Sequence, residues 1–107
     1  MTQTIPESDW KTLRKLHDTW LDRFCTRVLR EIQVASSTPG KTSHERYAVV
    51  YQLVRERDKE LARASDGTSR SRAYMHLVAL MSLDLIAPDE LQQFTPETRQ
   101  ILAHFAE

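Results

Sequence analysis

AYMHLVALMSLDLIA, residues Ala73 to Ala87, is a nearly continuous apolar run broken only by His76, Ser82 and Asp84 in a chain otherwise rich in arginine and acid. At about 1.5 Å per residue a helix of this length spans only some two-thirds of a hydrocarbon core of about 30 Å, and Asp84 sits near its end, so a membrane span is not expected. A helix that is apolar on all sides has to be covered by other helices or by a partner chain. The run therefore predicts a buried third helix, reaching from Ala73 to Ala87, at the centre of a bundle.

The rest of the 107-residue chain is punctuated as a bundle requires. Its six Gly and Pro residues are Pro6, Pro39, Gly40, Gly67, Pro88 and Pro96, and each falls at a boundary in a helical reading. Trp10, Leu13, His17, Trp20, Leu21, Phe24, Val28 and Ile32 recur at three- and four-residue steps, which predicts a first helix from between Pro6 and Asp9 to about Ala35. Thr42 and Glu45 have the spacing of a capping box for a second helix over His44 to Ser65, with Tyr47, Val50, Tyr51, Val54 and Leu61 on one side. Asp66 and Gly67 end it, and Thr68 or Ser69 is placed to cap the third helix. Pro88 followed by Asp89 and Glu90 opens a short fourth helix to about Phe94, and Thr95 with Pro96 opens a last one to about Phe105. The expected fold is all-α: a single domain over residues 1–107, four to five helices around a buried third helix.

Composition narrows the function classes. The 15 Lys and Arg balance the 15 Asp and Glu, so no net field draws the molecule to nucleic acid or lipid. The charges are nonetheless segregated, with 14 basic and 10 acidic residues up to Arg72, and only Arg99 against Asp84, Asp89, Glu90, Glu97 and Glu107 after it. A lone cysteine, Cys25, excludes an internal disulfide framework and fits a reducing compartment, and MTQTIPESDW has neither the basic nor the apolar part of a secretory signal; a cytoplasmic location is expected. Cys25 itself reads as a small core or near-core residue.

Catalytic and cofactor chemistry finds little support. The segment ASSTPGKT, Ala35 to Thr42, satisfies a loose nucleotide-loop pattern with Lys41 on the phosphates, but such a loop works between a strand and a helix, and the flanking spacing is helical on both sides. His17, His44, His76 and His104 are scattered singly, so no metal site is expected. His17 reads as a stripe residue with its ring nitrogen satisfied nearby, and Asp58, turned toward the apolar stripe, as one half of an ion pair with Arg57, Arg70 or Arg72. No cofactor and no enzymatic activity are expected.

Two surfaces remain as candidates. In TSRSR, Thr68 to Arg72, the hydroxyl of Ser69 and the forked donors of Arg70 and Arg72 stand near the start of the third helix, where free amides attract anions; capping is the simpler use of the same residues. Eleven of the fifteen basic residues are arginines, but in RERDKELAR every base has an acid within a turn, so a nucleic-acid-binding regulatory role is the disfavoured alternative. The second surface is aromatic. Trp10, Trp20 and Tyr47 lie on wide helical stripes able to serve an interface as well as a core, which points to a protein-interaction or adaptor module, self-associating as an antiparallel homodimer in which unlike charged ends meet.

Overall fold

The computed structural model describes residues 4–65 and 69–106. Among them the chain forms five α-helices and no strand: α1 (Glu7–Ser36), α2 (Ser43–Ser65), α3 (Ala73–Ser82), α4 (Pro88–Leu91) and α5 (Pro96–Ala106), with a short 3₁₀ turn at Arg70–Arg72 before α3. Asp66, Gly67 and Thr68, the expected stop of α2 and one of the two candidate caps of α3, lie outside the described residues. The all-α class is as the sequence predicts.

The α1–α2 turn follows from its residues. Gly40 takes φ +81, a left-handed value that costs glycine little. Thr42 then closes a capping box: the amide of Glu45 donates to the Thr42 hydroxyl at 3.1 Å and the amide of Thr42 donates to the Glu45 carboxylate at 2.9 Å. Those two bonds satisfy backbone donors that the first turn of α2 leaves free.

The third helix is shorter than the apolar run. It ends at Ser82, after which the amide of Leu85 bonds the carbonyl of Leu80 and that of Asp84 bonds Met81, a Schellman closure with Asp84 at φ +55. Apolarity continues through residues 83–87 because Leu85 is itself core, packed there as a turn and not as a fourth helical turn. Nor is α3 covered on every side. Ala73, His76, Leu77 and Leu80 are buried, whereas Met75 is 64% exposed.

The freed carbonyls of that turn are claimed by α1. Arg27 donates to the carbonyls of Leu83, at 2.8 Å, and Asp84, and Arg23 donates to that of Leu85. Arg23 also forks onto both oxygens of Glu90 at 2.8 and 3.0 Å, while Trp20 Nε1 donates to Glu90 Oε1 at 3.0 Å and the Ala87 amide does so at 2.8 Å. Every polar group drawn into this corner thus has a charged or backbone partner, which is the condition for burying it. The Arg23 guanidinium, with help from the Ala87 amide and the Trp20 indole, holds the Glu90 carboxyl at about 2 against the opposing effect of burial.

A second buried carboxylate fixes α5. Asp9, 1% exposed in the first turn of α1, accepts the Thr95 amide at 2.9 Å and the hydroxyls of Thr95 and Thr98 at 2.6 and 2.5 Å. Its charge sits at the positive end of α5, so one side chain satisfies the start of a helix 86 residues away. Around these two corners Leu13, Leu16, Trp20, Phe24, Leu77, Leu80, Leu85, Phe94 and Leu102 form one core.

That core occupies only one end of the molecule. The last buried residue of α1 is Phe24, and among the described side chains of α2 the buried one is Ala64. Beyond them α1 and α2 continue side by side as a two-helix arm, which stretches the molecule to 55 × 26 × 26 Å with a radius of gyration of 16.9 Å. A compact chain of this length has about 13 Å.

Candidate functional site

The arm carries most of the exposed apolar surface. Leu29, Val34, Tyr47, Val49, Tyr51 and Val54 are 61, 70, 68, 44, 54 and 36% exposed, against Met75 and Phe105 as the large exposed apolar residues elsewhere among the described residues. Helix periodicity explains the division within α2. Arg46, Val50, Leu53 and Arg57 are partly covered on the side that meets α1, and Tyr47, Tyr51 and Val54 follow roughly a quarter-turn round the helix. On α1, Val28 and Ile32 are partly covered while Cys25 and Leu29 are exposed.

The two exposed stripes join into one face. Phe24, Cys25, Val28 and Leu29 from α1 and Val54, Arg57, Asp58 and Leu61 from α2 line a shallow, mostly apolar groove of about 180 Å³. From it the stripe continues toward the tip along Tyr51 and Tyr47, whose rings stack at 6.5 Å, with the Arg55 guanidinium 5.7 Å from the Tyr51 ring centre. A cation over a phenol ring and two rings four residues apart hold this row of side chains in order without burying it.

The hairpin is tied by Arg57, which also lines the groove. Arg57 bonds both oxygens of Glu31 at 3.1 Å and Glu60 at 3.0 Å, bridging α1 to α2, and these partners raise its pKa against burial. Glu60 and Arg63 border Ala79, Ser82 and Leu83, so α3 reaches the base of the arm. The groove is lined by residues of α1 and α2 alone among the described residues.

The residues singled out in the sequence fall in different places. Tyr47 is on the arm face. Trp10 is partly covered, packed against the core with Arg14 6.0 Å over its ring. Trp20 is wholly interior, bonded to Glu90, so its assignment to an interface is corrected: a stripe wide enough for two surfaces was one deep surface here. Ser69, Arg70 and Arg72 lie at the 3₁₀ turn before α3. The Arg70 guanidinium gives Nε and a terminal nitrogen to the Ile5 carbonyl at 3.2 Å, Ser69 Oγ lies 3.3 Å from Ser71 Oγ and makes no capping bond, and Arg72 is exposed. The corner anchors the chain's beginning to the entry of α3. Lys41 is exposed in a helix-to-helix turn, with the Thr42 hydroxyl used as a cap, so the strand-loop-helix setting of a nucleotide loop is not present.

Three smaller expectations are also revised. Cys25 is exposed on the groove face and is not a core residue. Asp58 is exposed on the same groove, and Arg57 pairs with Glu31 and Glu60 instead. His17 packs against His76 with ring centres 5.1 Å apart and planes tilted by 34°, but its Nε2 is buried with no hydrogen-bond partner in the structure. Burial, reinforced by His17, lowers His76 to about 4.

Among the described residues no group of His, Cys, Asp and Glu is arranged to hold a metal, and no helix is long and apolar enough to cross a membrane. Comparison of the chain with protein-family models, with curated proteins and with solved structures gives no significant match.

Proposed function

We propose that the protein is a non-enzymatic helical interaction module that docks through the open face of its α1–α2 arm. The observation that carries this reading is the separation of the molecule into a body that holds the core and an arm whose apolar side chains stay exposed. In the body, the buried carboxylates of Glu90 and Asp9 are matched to side-chain and backbone partners. On the arm, Leu29, Tyr47, Tyr51 and Val54 stand side by side in water. Contiguous exposed apolar surface of this kind marks interaction sites, and tyrosine side chains beside an arginine are well suited to fill a partner's pockets. A two-helix layer with one bare face matches helix-on-helix recognition, in which anchors three and four residues apart enter a facing groove.

The test is site-specific photo-crosslinking in the cells that make the protein. A photoreactive residue at Tyr51 gives a discrete protein adduct, whereas the same residue at exposed Lys11 or Glu97, on the body, does not. No adduct from Tyr51, or equal adducts from all three, overturns the arm as the docking face.

A further inference from the structure

We draw no further inference here: the strongest candidate, the open apolar face of the α1–α2 arm, carries none beyond the docking role already proposed, because nothing in the structure shows what covers it.

Discussion

Glu90 is the residue on which the body depends most. It receives Trp20, Arg23 and Ala87, each of which would otherwise hold a buried or partly buried donor without an acceptor. Replacing it by Ala strands the Trp20 indole and the Arg23 charge together, and about 3 kcal/mol of stability is expected to be lost in urea unfolding. Asp84 has the opposite prospect. Its φ of +55 at the end of α3 is a position that glycine occupies without steric cost, so Asp84→Gly is expected to raise stability by roughly 0.5 to 1 kcal/mol, read as an increase in the denaturation midpoint. Neither residue could be singled out from sequence as structural. Asp84 looked like a charge interrupting a helix, and Glu90 like one of two acids beside a helix start. The α1 partners of Glu90 lie 67 and 70 positions away and the role of Asp84 depends on a backbone angle, neither of which is written in local spacing.

At the scale of elements, legibility followed the locality of the signal. The capping box of α2 was readable because both of its partners sit within four residues, and Thr42→Ala is expected to cost about 1 kcal/mol and to fray the first turn of α2, as measured by amide exchange. Pro88 and Pro96 marked the first residues of α4 and α5 for the same reason. The length of α3 was not readable. Apolar periodicity cannot distinguish five more helical residues from a buried turn, and the carbonyls that ended the helix are held by arginines of α1. Which stripe of α1 and α2 is inside was legible only in part. Trp20 and Tyr47 occupy equally convincing helical registers, and what separates them is that α3, α4 and α5 gather round one end of the hairpin and leave the other bare. The same asymmetry predicts that Leu29→Asp and Tyr51→Asp, which would be ruinous in a core, leave the thermal midpoint of the monomer unchanged or slightly higher.

For the whole molecule, acid is expected to act in two stages. His76 takes up its proton only near pH 4 when folded and near 6.5 when unfolded, so its neutral burial costs nothing above pH 6.5 and stability falls, by about 2 to 3 kcal/mol in all, as the pH drops from 6.5 to 4. Glu90 then contributes the second stage. Its carboxyl titrates near 2 in the fold against 4.5 when free, so its stabilisation is complete above pH 4.5 and is lost as the pH falls toward 2. Urea unfolding at stepped pH measures both, and His76→Leu removes the first stage alone. These groups lie in the body, while the arm face has no buried carboxylate or histidine among its described residues, so the acid response is that of the body.

The most direct measurement of that division is amide hydrogen exchange of the dilute protein. Exchange at residues 28–36 and 46–56 is expected to be fast, while residues 9–20 and 76–80 exchange slowly. Exchange that is equally slow in arm and body would contradict an arm whose face is bare.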